Sequence, residues 1–258
     1  MLSRNFRLQK VGDLKWLKTN YDFSRISFSI DELIVLDVTR DSRNTENFCD
    51  ALKQLAEGCF VPIAAGGGIR SIDQAKALLR SGADKVVVNT PLYGSDLLVD
   101  ALATEFGEQC VVASMDIKAD PDGNFRIWTE SGTRCVDGDV SDWIMKVERS
   151  AVGEIYLNSI DRDGTGYGYE MKLLDLIPEA MTKPVIFAGG VGNTTHLAQG
   201  LADSRVDAVA TANLFNFVGD GLKKARSSLV AAGVDLPVWD MQLLEHLLVN
   251  KCEISAVG

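Results

Sequence analysis

Prolines are few in this chain, six in 258 residues, and histidines fewer still at two. The five cysteines, Cys49, Cys59, Cys110, Cys135 and Cys252, are odd in number and scattered. No pair has C-x-x-C spacing, which excludes a zinc knuckle and gives no disulfide framework; a reducing cytosol is expected. Long apolar runs are missing too: no stretch approaches the roughly 18–20 residues of a spanning helix. Met1 to Arg7 is charged without an apolar h-region, so neither export nor membrane insertion is expected. Positive charge is short, with 26 Lys+Arg against 36 Asp+Glu and a net charge of −10. Such a field attracts neither a nucleic-acid backbone nor an anionic membrane, so any anionic ligand must be held by local groups.

What is present is an ordinary globular composition, 46% hydrophobic and 24% charged, with 23 glycines. Short apolar runs alternate with helical-period segments. Glu32 to Val38 predicts a strand and Thr45 to Glu57 a helix with Phe48, Leu52 and Leu55 on one face. Val61 to Ala65 predicts the next strand, followed by Gly66-Gly67-Gly68, Ser71 as an N-cap, and a helix from Ile72 to Arg80. Lys85 to Val88 predicts a strand, Pro91 to Phe106 a helix, and Val111 to Met115, Glu154 to Leu157, Pro184 to Phe187 and Asp207 to Ala210 further strands. Asp122-Gly123 marks a β-hairpin inserted in one β/α loop. Eight β/α units of doubly buried strands mean a parallel sheet covered by helices, with a closed (β/α)8 TIM barrel favoured over an open doubly wound sheet. The expected domain is residues 1–258, with half-barrels over about 1–110 and 111–240 and a C-terminal helix over about 240–252.

An internal repeat supports the barrel. Ala65-Gly66-Gly67 recurs as Ala188-Gly189-Gly190, and Ala83 to Thr90 recurs as Val206 to Asn213 at the same displacement. Glu32 to Leu36 is answered by Glu154 to Asn158 at nearly that displacement, about half the chain. Three matches in one register mark two fused half-barrels.

Glycines directly after a strand let backbone N–H groups approach an anion, and the next helix adds its positive end. Gly66-Gly67-Gly68 and Gly189-Gly190-Val191-Gly192 both stand there, each paired with a strand ending in small polar residues, Asn89-Thr90 and Thr211-Ala212-Asn213. The duplication predicts two phosphate sites on opposite sides of one barrel mouth. Asp37, Asp116 and Asp163 fall at strand ends, where barrel active sites gather carboxylates for acid/base work, although an aspartate there also caps helices. Asp116 is favoured because its strand is apolar and aims it inward. The loop Asp161 to Gly166 lacks the glutamate and spacing of a calcium loop. Neither His196 nor His246 lies at a strand end, so no Ser/His/Asp or Cys/His system is indicated.

These residues resemble a known family. Asp31 to Asp37, Ala65 to Ile69, Gly82 to Val86 with Asn89-Thr90, and Ser159 to Thr165 are similar, in order and over roughly residues 28–235, to the cyclase subunit of imidazole glycerol phosphate synthase, the HisF family. That resemblance implies a cytoplasmic lyase subunit of histidine biosynthesis without cofactor or metal. It also implies a glutaminase (HisH-like) partner whose ammonia passes through the barrel to a bis-phosphorylated substrate. The resemblance puts phosphate binding on Gly68, Asn89 and Thr90 in the first half and on Asp163, Gly164, Gly190 and Asn213 in the second. It puts the catalytic acid on Asp116, a substrate lysine on Lys18, and an ammonia-gate ring at the barrel bottom on Arg4, Glu32, Lys85 and Glu154.

Two departures stand out. Lys10 occupies the place of the family's first catalytic aspartate, reducing an acid/base pair to one carboxylate, and a missing proton-transfer catalyst costs typically 10²–10⁴-fold. Only residues 19–30 separate Lys18 from Asp31, so the first β/α unit is shortened and its mobile loop lost. The loss of the first aspartate resembles divergent paralogues of bacterial surface-glycan (lipopolysaccharide) clusters, which implies an ammonia-conducting role beside a sugar amidotransferase. A true cyclase with Asp116 as general acid is the other reading.

Overall fold

The computed structural model describes residues 2–9, 13–20, 26–40, 42–95, 97–179, 181–212 and 220–238. Its strands, in chain order, are β1 Leu2–Arg4, β2 Arg7–Gln9, β3 Leu33–Leu36, β4 Ile63–Gly66, β5 Lys85–Val88 and β6 Val111–Ala119. They continue with β7 Phe125–Thr129, β8 Arg134–Val136, β9 Glu154–Ser159, β10 Val185–Ala188 and β11 Ala208–Val209. The sheet runs β11-β10-β9-β6-β5-β4-β3 with parallel pairing throughout, and β7 and β8 extend β6 as an antiparallel hairpin. The turn at its tip is closed by the Gly123 N–H donating to the Asp120 carbonyl, as the Asp122-Gly123 signal requires.

Strand parity divides the interior in two. On β5, Val86 and Val88 face outward into the large core shared with the helices. Val87 instead joins Ala64, Val112, Ile34 and Tyr156 in a separate cluster inside the sheet's curve. Strands with apolar groups on both faces are what a barrel covered by helices demands. The covering helices start where capping side chains put them: Asn44 accepts from the Asn47 amide, Ser71 from Gln74, Asp139 from Ser141 and Asn193 from His196. Each such cap is worth about 1 kcal/mol.

The repeat is visible in hydrogen bonds. The Asp84 carboxylate accepts from the Ile63 amide at 2.8 Å, and Asp207, its counterpart in the second half, accepts from the Val185 amide at 2.8 Å. Each aspartate thus locks the entry of a strand at the barrel's N-terminal end. The fold is an α/β TIM barrel built from two half-barrels.

Seven of the barrel's parallel staves lie among the described residues. The N-terminal residues pair with each other in register Leu2↔Gln9, Ser3↔Leu8, Arg4↔Arg7, because Asn5 (φ 52°) and Phe6 (φ 59°) make a tight turn with positive φ at both central positions. Ahead of the β3 edge, Asp31 is held by the helix Gly221–Ala231, whose Arg226 donates to it with bonds of 2.9 and 2.8 Å. The single helix predicted from Pro91 is instead a 3₁₀ turn, Thr90–Tyr93, followed by a helix over Leu97–Phe106, since Gly94 (φ −113°, ψ −133°) leaves the helical region and breaks the run. The C-terminal stretch 240–252 and His246 lie outside the described residues.

Candidate active site

Inward-facing positions recur every second residue, so residues four apart on a strand lie about 13 Å apart along the barrel axis. β5 carries Lys85 at its entry and leads to Asn89 at its exit; β9 carries Glu154 and Asn158; β6 carries Val112, Ser114 and Asp116. At the entry end Lys85 Nζ lies 2.7 Å from Glu32 Oε2 and 2.5 Å from Glu154 Oε1. Burial works against the lysine's charge, but the hydrogen bonds to Glu154 and Glu32 outweigh it and hold its pKa above the ordinary value. Burial raises the pKa of Glu32, only partly offset by Lys85. Three of the four predicted ring residues therefore meet.

Arg4 does not join them. Its hairpin sits at the opposite end, where the Asn5 amide donates to the Asp163 carbonyl at 2.8 Å and the Phe6 amide to the Asp163 carboxylate at 3.3 Å. Arg40 Nη2 donates to the Phe6 carbonyl at 2.6 Å from the other side. A local hairpin keeps Arg4 exposed at the mouth, far from the charge ring that its sequence position suggested.

At the exit end Asp116 is held from both sides. Asn158 Nδ2 donates to Oδ1 and Asn89 Nδ2 to Oδ2, each at 3.0 Å, and Asn89 also reaches the Ser114 carbonyl at 3.0 Å. Burial lifts its pKa to about 7, against the lowering effect of Asn158 and with the help of Asp163's charge. A carboxyl poised near neutrality can give and take a proton at working pH. Tyr156, on the same wall, has its phenol pushed up by burial and by the neighbouring Asp116 and Asp163 charges.

Both glycine turns adopt conformations that a side chain would strain. Gly68 has φ +77° and Gly190 φ +106°, and a β-carbon on Gly190 would collide with the Gly168 carbonyl. Gly190 accepts a 2.7 Å bond from the Gly168 amide. His196 shapes this turn as a structural residue, accepting from the Gly192 amide at 3.1 Å. Asp37 likewise shapes the first, its amide donating to the Gly66 carbonyl at 2.8 Å.

A cavity of about 1220 Å³ is bordered by Glu32 and by Gly68, Asn89, Thr90, Asp116 and Gly190. Asp163 and Gly164 also border it, but the Asp163 carboxylate is engaged by the Ser3 hydroxyl, and the Ser3 carbonyl covers Gly164. Lys18 falls on the helix Leu14–Asn20. Asn213 and Lys10 lie outside the described residues. No cluster of three metal-ligating side chains occurs among the described residues. Nor is any helix among them long and apolar enough to cross a membrane.

Sequence reasoning missed Asn158 as a partner of Asp116. The signal was there: Lys85 and Asn89 are four apart on one strand, as are Glu154 and Asn158 on another.

The family model described as histidine biosynthesis protein matches residues 23–219. The chain belongs to the histidine biosynthesis protein family. A protein of Parasynechococcus marenigrum (strain WH8102), provisionally named imidazole glycerol phosphate synthase subunit hisF2, is 45% identical over 225 residues, covering 87% of this chain and 83% of that protein. The imidazole glycerol phosphate synthase subunit HisF of Caulobacter vibrioides (strain NA1000 / CB15N) is 38% identical over 205 residues, 79% of each chain. As a HisF-like member of the histidine biosynthesis family, this chain has the family's matched region over Glu32, Lys85, Glu154, Asp116 and both glycine turns, while the hairpin of residues 2–9 lies outside it.

Proposed function

We propose that this HisF-like chain is a synthase subunit that takes ammonia from a glutaminase partner at the charged end of the barrel and delivers it to the mouth. In this reading it is a paralogue that supplies a sugar amidotransferase in the amidination of a bacterial surface-glycan sugar. One observation carries the reading: a single cavity is bordered by Glu32, by apolar Ile34 and Val87, and by Asp116. A neutral molecule crosses such an apolar layer at far lower cost than an ion, which must shed its hydration. The Glu32–Lys85–Glu154 cluster at the entrance is a set of charges that must part to admit anything. Lys10 in place of a second acid favours conduction over chemistry, because cyclisation coupled to proton transfer loses a catalyst.

A second reading, a cyclase of histidine biosynthesis acting on a bis-phosphorylated ribosyl-aminoimidazole, is favoured by Asp116. A carboxyl held near pKa 7 between two asparagine amides is a general acid in waiting. In that reading Gly68, Asn89 and Thr90 hold one phosphate, and Asp163, Gly164, Gly190 and Asn213 the other, with Lys18 on the substrate.

Steady-state cyclase activity of the purified protein with saturating ammonium salt separates the two. Turnover without any glutaminase establishes the cyclase; its absence in a folded protein that still binds a glutaminase supports the conduit. Lys85→Ala should then uncouple glutamine hydrolysis from product formation while ammonium salts restore it. Retained coupling would refute the conduit.

A further inference from the structure

The two glycine turns are equivalent by repeat but not in charge. A β-carbon built on Gly68 would stand 2.7 Å from Arg43 Nη1 and 2.8 Å from Arg43 Cδ, so this guanidinium lies directly against the first turn. Among the described residues its one ion pair is long, Nε to Asp37 Oδ2 at 3.9 Å, and the side chain is 31% exposed. Arg43 borders the cavity together with Gly68, Asn89 and Thr90. The second turn also has an arginine: Arg162 Cβ would lie 2.9 Å from a β-carbon on Gly190. That guanidinium is spent, however, with Nε and Nη2 both donating to Glu170 Oε2 at 3.0 and 2.9 Å.

From this asymmetry we infer that Arg43 is the charge of the first-half phosphate subsite and sets the orientation of the ligand. The inference rests on the reading of both turns as phosphate subsites and adds a residue to it. An arginine fork matches two oxygens of a phosphate monoester, and it adds a full positive charge to what amides and a helix start supply as partial ones. The Gly68 end takes a phosphate dianion; the Gly190 end, with Arg162 neutralised by Glu170, takes its phosphate on neutral donors. A bis-phosphate ligand therefore enters with its more highly charged end at Gly68, and a ligand with a single phosphate monoester occupies that end first.

Titration calorimetry with inorganic phosphate at low salt tests this. Arg43→Gln should weaken phosphate binding about tenfold or more, the usual loss for a charge-assisted hydrogen bond, with Arg43→Lys recovering part of it. Arg126→Gln, the same charge change on the inserted hairpin, should leave binding within about twofold, the screening expected of a distant charge. Wild-type affinity in Arg43→Gln, with binding abolished in Gly68→Ala, would overturn the inference and leave the subsite standing. Unchanged binding in both variants would overturn the subsite as well. Should Gly68→Ala fail to fold, Thr90→Val takes its place.

Discussion

Asp116→Asn should make the protein more stable, and the gain should depend on pH. The carboxyl is displaced from the ordinary 3.8 to about 7, so the folded protein holds a proton that the unfolded chain releases. Below about pH 4 the group is protonated in both states and contributes no difference. Between about pH 4 and 7 the unfolded state binds fewer protons than the folded one, so stability falls as pH rises; above 7 the full cost of the buried charge is present. Three units at about 1.4 kcal/mol each give a penalty on the order of 4 kcal/mol. An asparagine mimics the protonated acid in shape and does not titrate. It faces the Nδ2 groups of Asn89 and Asn158 with one oxygen fewer, a loss of about 1 kcal/mol that the neutral acid shares. Thermal melts of both proteins from pH 4 to 8 should therefore diverge, reaching about 10 °C in favour of the variant at pH 8 and vanishing near pH 4. Parallel curves would refute the argument, since they would mean that Asp116 ionises at its ordinary pKa in the folded state.

Lys85→Met leaves Glu32 and Glu154 facing each other without their cation, and urea denaturation should register a loss of about 1–3 kcal/mol that is larger at pH 8 than at pH 5, where one carboxyl can take a proton. Gly190→Ala should cost more than about 2 kcal/mol in the same assay because its β-carbon meets the Gly168 carbonyl. Gly123→Ala, at φ +86° with open space around it, should cost only the conformational strain of about 1 kcal/mol. Ser3→Ala removes the hydroxyl bond to Asp163, and amide exchange over residues 2–9 should quicken while global stability moves by about 1 kcal/mol or less.

Where local signals and tertiary demands agree, the sequence is readable to the residue. The helix Ile72–Arg80 with its Ser71 cap, the strand Lys85–Val88 and the inserted hairpin are observed as the pattern predicts. Period-two apolar runs and capping chemistry act over a few residues, so they survive folding unchanged. Arg4 shows the opposite case: its charge type and position fit the entry ring, but whether residues 2–9 join the wall or pair among themselves is decided by competition between distant partners, Asp163 and Arg40 among them. Asp163 was read as a ligand-binding residue and is found holding that hairpin. Arg43 was invisible as a site residue because nothing in its own loop announces that Gly68, across a helix and a strand, lies beneath it.

The cluster of Ile34, Ala64, Val87, Val112 and Tyr156 separates two charged centres of one barrel. Glu154 pairs in register with Val112, four residues before Asp116 on the same strand, so the lysine ring and the acid stand about 13 Å apart with a nonpolar layer between. Perturbations at that distance without shared partners are additive within about 0.5 kcal/mol. A double-mutant cycle of Lys85→Met with Asp116→Asn should then close with almost no interaction energy. The two ends of the barrel can thus be altered independently: either centre can diverge in one lineage without forcing a compensating change in the other.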